Sequence, residues 1–91
     1  MSPDDDAPSL IEFPSAFPIK VLGLNEAGFV DAMVAVVREF DPAFDAATVE
    51  LRPSRGDKYL GVTLTVTATS RAQLDALYRA LSAHARVKVV L

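Results

Sequence analysis

Few side chains in this sequence could carry covalent chemistry. His84 is the only histidine, and there is no cysteine. A thiolate nucleophile, a disulfide framework and a cysteine-bound metal are therefore excluded. His84 falls at the end of an apolar-periodic segment, where a cation interacts well with a helix C-terminus, so a solvated, cap-like role is expected for it. As a general base it would need a nucleophile and an orienting acid within reach, and no motif in the chain supplies them. Asp4, Asp5 and Asp6 are consecutive. A calcium loop needs ligands at alternate positions around a glycine turn, so this run reads as solvated charge. No catalytic residue, no metal and no cofactor is predicted.

What remains is binding chemistry. The candidates are cations and their polar neighbours: Lys20, Arg52, Arg55 and Lys88, together with Asn25, Ser54 and Tyr59. The chain of 91 residues has 9 Lys+Arg against 12 Asp+Glu, a formal charge of −3. Asp4, Asp5 and Asp6 account for that excess, so the rest of the chain is neutral and overall charge gives no warrant for nucleic-acid binding. An RNA-recognition sheet needs aromatic residues where bases stack. Here Arg55-Gly56 is followed by Asp57, and Ile19 to Leu24 contains no aromatic residue. Weak RNA contact is therefore only a minor alternative.

The elements that must position these residues follow from periodicity. Residues 1–12 are rich in Pro, Asp, Ser and Ala and read as a disordered acidic tail; 13–91 read as one domain. Phe17 to Gly23 predicts a strand, with Phe17, Ile19 and Val21 on one face and Lys20 on the other. Asn25 is the expected N-cap of a helix from Glu26 to about Phe40, whose apolar stripe is Phe29, Val30, Met33, Val34, Val37 and Phe40. Asp41 precedes Pro42 and is pushed out of the helical region. Thr48 to Pro53 predicts a second strand with Val49 and Leu51 inward. Lys58 to Thr69 alternates most clearly: Leu60, Val62, Leu64, Val66 and Ala68 face one way, Tyr59, Gly61 and four threonines the other. Ser70 and Gln73 form a capping-box pattern ahead of Leu74, Leu77, Tyr78 and Leu81. Ala85 to Leu91 predicts a last strand with Val87, Val89 and Leu91 inward and Arg86, Lys88 and Val90 outward.

The order βαββαβ, with right-handed crossovers, predicts an α+β ferredoxin-like sandwich: a four-stranded antiparallel sheet with two helices on one face. A turn centred between Arg55 and Gly56 would set Arg52 opposite Tyr59, Glu50 opposite Gly61 and Thr48 opposite Thr63. The open face would then carry Lys20, Arg52, Arg86 and Lys88 against Glu50, a local basic excess. Arg52 on Tyr59 would be worth about 0.5–1 kcal/mol. The opposite charges of the tail and this face predict that the tail folds back transiently over it.

Read together, Phe13-Pro14, Phe17-Pro18 and Lys20 before Gly23, then Arg52, Ser54, Gly56 and Tyr59, then Leu74, Tyr78 and Leu81 before Val87-Lys88-Val89-Val90-Leu91, resemble the YbeD-like family of small bacterial proteins of unknown function. The resemblance spans about Phe13 to Leu91 and implies a ferredoxin-like fold similar to regulatory ACT domains. Asp57-Lys58 makes the hairpin one residue longer than the family pattern. A looser resemblance to ACT domains implies a ligand role for Asn25, in the loop between the first strand and the first helix. The expected function is thus a non-catalytic, ACT-like binding or regulatory domain. Its partners would be a small molecule, an acidic protein docking on the basic open face, or a second copy. Without a signal-like N-terminus or a long apolar run, a cytoplasmic location is expected.

Overall fold

The computed structural model describes residues 12–91. The acidic run, the expected tail up to residue 11 and its contact with the sheet lie outside the described residues. The elements are β1 (Ser15–Leu24), α1 (Phe29–Phe40), β2 (Glu50–Pro53), β3 (Tyr59–Ala68), α2 (Arg71–Ala83) and β4 (Val87–Val90). The strands form one antiparallel sheet in the order β2-β3-β1-β4. Among the described residues no helix is long and apolar enough to cross a membrane.

The alternation in β3 decides the fold. Leu60, Val62, Leu64, Val66 and Ala68 are all buried, beside Ile19 and Val21 of β1 and beneath both helices. Burying a large aliphatic side chain is worth roughly 1.5–3 kcal/mol. Sliding β3 by one residue would turn four of them to water, a loss on the order of a small domain's whole stability. The hydroxyl-bearing positions turn away, with Thr63 and Thr65 half-buried and Thr67 exposed.

The helices use the expected stripes. Phe29, Met33, Val34 and Val37 of α1 and Leu74, Leu77 and Leu81 of α2 are buried. The start of α1 differs from the expectation. Its N-cap is Gly28, at φ 88°, with no side-chain cap, and not Asn25. Three residues of loop separate Leu24 from this glycine, because Asn25 is committed elsewhere. At α2, Ser70 Oγ accepts from Gln73 N as expected (3.0 Å). Gln73 departs from a capping box: its Oε1 accepts from Thr69 N (2.7 Å) and its Nε2 donates to Phe40 O (2.9 Å) and Thr67 O (3.1 Å). One amide thereby joins the end of α1, the end of β3 and the start of α2.

The edge strands differ from the expectation: β2 in its start and register, β4 in its faces. β2 begins at Glu50, since Ala46–Thr48 form a 3₁₀ turn in which Asp45 accepts from Ala47 N. Leu51 pairs with Val62 and so shares its face, yet it is 54% exposed because β2 projects past the helical layer. In the β2–β3 hairpin Arg52 lies opposite Gly61 and Glu50 opposite Thr63, a register two residues away from the expected one. The cause is a longer turn. Gly56 (φ 80°) and Asp57 (φ 59°) are both left-handed, and Ser54 pairs with Tyr59 through N–H to O (2.8 Å) and Tyr59 N–H to Oγ (2.9 Å). In β4 the register against β1 shifts by one between Leu22 and Gly23. Lys88 is the extra residue of this bulge, which sends Val90 toward the core and Val89 and Leu91 to the open face. The expected inward Val89 and Leu91 are thus 44% and 71% exposed.

Candidate functional site

The second face of the sheet is a grid set by the pairing. One row across the strands is Arg52, Gly61, Leu22 and Val89; the next is Glu50, Thr63 and Lys20, with Leu91 bonded to the Lys20 carbonyl (2.8 Å). Gly61 has no side chain, so the face sinks there between Arg52 and Leu22. The result is an open concavity of about 830 Å³ lined by Lys20, Leu22, Arg52, Gly61, Thr63 and Leu91 among others. Its two halves differ. Arg52, Glu50 and Thr63 make the β2–β3 side polar, whereas Leu22 and Leu91 make the β1 side aliphatic, and Val89, paired with Leu22, extends that apolar surface beyond the concavity. Lys20 stands at the boundary.

The basic face is therefore smaller than its sequence implied. Lys20 and Arg52 are exposed and line the concavity. They sit two strand spacings and one row apart, roughly 12 Å, close enough for one acidic group and its neighbour to reach both. Arg86 leaves the set, because its Nη1 donates to Ala27 O (3.0 Å) in the loop before α1. Lys88 occupies the bulge, out of the alternation that would have aligned it with Arg52.

The other candidates gather at the hairpin end. Ser54 also lines the concavity, with its Oγ accepting from Tyr59 N. Arg55 is exposed at the tip. Arg52 does not meet Tyr59; Lys58 Nζ lies over that ring instead, 5.4 Å from its centroid. Asn25 binds this hairpin, its backbone N–H donating to Lys58 O (2.9 Å) and its Nδ2 to Asp57 O (3.2 Å). It thus acts as a clasp between two loops. His84 ends α2, and its Nδ1 accepts from Arg86 N (3.1 Å).

Two features escaped the sequence reading. The first is the aliphatic half of the open face, which needs the β4 bulge. The second is Asp41, 8% exposed, whose Oδ2 accepts from Thr67 N (2.9 Å). β2 covers β3 only as far as Thr63, and this carboxylate closes the ladder beyond it. The signal available in the sequence was an acid just after α1, read only as a stop before Pro42.

The comparisons with known proteins agree with this frame. A family model described as "Protein of unknown function (DUF493)" matches residues 8–91. A UPF0250 protein of Leptothrix cholodnii is 63% identical over 83 residues, covering 91% of each chain. One from Bordetella parapertussis is 59% identical over 83 residues, with the same coverage of 91% of each. One from Paraburkholderia phymatum is 53% identical over 91 residues and covers 100% of both. Among solved structures, protein HP0495 from H. pylori superposes with a TM-score of 0.77 at 13% identity, over 100% of this chain and 96% of that one. The ACT domain from GTP pyrophosphokinase of Chlorobium tepidum gives 0.64 at 20% identity, over 85% of this chain and 97% of that one. At those identities the likeness is one of fold. With the family model spanning nearly the whole sequence and relatives more than half identical, the chain belongs to the DUF493 (UPF0250) family, the YbeD-like proteins of unknown function, built on an ACT-like, ferredoxin-like frame.

Proposed function

We propose that this domain is a non-catalytic, ACT-like binding and regulatory module of the cytoplasm, and that it binds on its open sheet face. The observation that carries this reading is the concavity itself. Lys20 and Arg52 flank a floor without a side chain at Gly61, next to a half-buried Leu22 and to Val89 and Leu91, which are exposed among the described residues. Cations beside uncovered apolar surface suit an anionic group joined to an apolar one. The side chains best suited to catalysis do not converge there. His84 belongs to the α2–β4 turn, and Asp41 is spent on Thr67 N.

The test is ¹⁵N-resolved titration of the full chain with a panel of amino acids, anionic metabolites and acidic peptides, beside thermal melting, since a ligand of the native state raises Tm. The expected result is that shifts cluster on Lys20, Leu22, Gly61 and Thr63 and that Arg52→Glu weakens them. Shifts confined to the helical face, or turnover of any panel member, would reject the proposal.

A further inference from the structure

We infer that the occupant of the open face is an acidic amphipathic helix of a partner protein, a reading that rests on the binding role just proposed. Sheets in compact folds are covered by helices or by another sheet. Here both helices lie on one side, and the other side shows an aliphatic patch of half-buried Leu22 with exposed Val89 and Leu91. Four strands span roughly 14 Å, and a helix with its side chains is about 10–12 Å across. One helix laid along β1 and β4 would place an aliphatic stripe on that patch. It would then lie over Lys20 and meet Arg52 on its flank, two cations against the single Glu50, which favours carboxylates there.

Gly61 supports the same occupant. Its φ is not in the left-handed region, and a Cβ there would find only Arg52 O at 3.4 Å and the Arg52 Cβ at 3.9 Å. Neither backbone geometry nor internal packing demands a glycine. Among the described residues, the space above it is free for an incoming side chain. A small molecule would stay mostly in water in so open a trough, whereas ligand pockets bury most of their guest. A second copy fits less well. Face-to-face pairing would set Lys20 and Arg52 of each copy against a single Glu50. An extended peptide would instead bond to a strand edge.

The experiment is selection of a displayed library of helical peptides, randomised for charge on their flanks, against the folded full chain. Enriched helices are expected to carry an aliphatic stripe beside Asp or Glu. Binding of a selected helix should fall at least tenfold with Arg52→Glu and with Gly61→Val, and stay unchanged with Arg79→Glu on the exposed side of α2. A lysine-flanked version of that helix should regain affinity for the Arg52→Glu protein. Thermal melts of each variant verify folding. Enrichment of basic or uncharged helices, or of none, overturns the inference. A doubled solution mass reversed by Leu91→Asp overturns it too, since the face is then taken by a second copy. If winners map to the open face but lack acids, only the inference falls. If they map to the helical face, the binding role proposed for the sheet falls with it.

Discussion

Asp41 stands where α1 stops and where β3 outruns its neighbour β2. A carboxylate oxygen replaces the missing strand carbonyl for Thr67 N. Leaving that donor unpaired costs about 1–3 kcal/mol. Asp41→Ala should therefore lower the urea midpoint by that equivalent, and Asp41→Asn, which keeps a carbonyl acceptor, by less. An Ala variant as stable as the parent would show that water replaces the carboxylate without cost. Gly23 is constrained by space alone. A Cβ there would stand 2.5 Å from Arg86 O and 2.5 Å from the Phe29 ring. Gly23→Ala should destabilise by about 1–3 kcal/mol through overpacking, seen as a lower Tm. An unchanged Tm would mean that the β1–β4 end is looser than its contacts imply.

At the scale of elements, the junctions do more than the caps that sequence motifs suggest. Ser70 makes an ordinary cap, worth about 1 kcal/mol. Gln73 holds three elements with three hydrogen bonds. Gln73→Ala is expected to cost more than Ser70→Ala in parallel denaturation series, and the reverse order would place the stability in the cap. The long strand β3 and the two helical stripes were legible because ten or more residues repeat one period, so no single residue can reverse the face. β4, at four residues, was not; β2, equally short, kept its expected face but not its register. In Val87-Lys88-Val89-Val90 three of four residues are aliphatic, and either parity presents apolar groups to the core. The bulge at Lys88 chooses between them. The hairpin register likewise depended on φ at Gly56 and Asp57, which residue types only suggest.

For the whole molecule, one sheet serves two purposes. Its inner face holds the fold and its outer face is left for another molecule. Leu64 is fully buried, while Leu91 is 71% exposed. Leu64→Ala should cost about 2–5 kcal/mol, whereas Leu91→Ala should change stability by less than about 0.5 kcal/mol. Thermal melts read both. A large loss at Leu91 would assign the outer aliphatic patch to folding and withdraw it from binding. The candidate site was half legible on this scale. Lys20 and Arg52 could be placed on the open face by parity alone. Arg86 could not, because its tie to Ala27 O bridges segments far apart in the chain.

The amino-acid sequence alone determined the order of elements, the ferredoxin-like layering and the buried face of β3, since alternation and helical spacing over long segments leave one way to hide the aliphatic groups. Tertiary structure decided what the open face offers. A one-residue bulge and a two-residue change of register moved Val89 and Leu91 into view, set Gly61 beside Arg52 and turned Asn25 from a cap into a clasp. Those choices cost little locally and are made by pairing with distant strands, so no short stretch of sequence contains them.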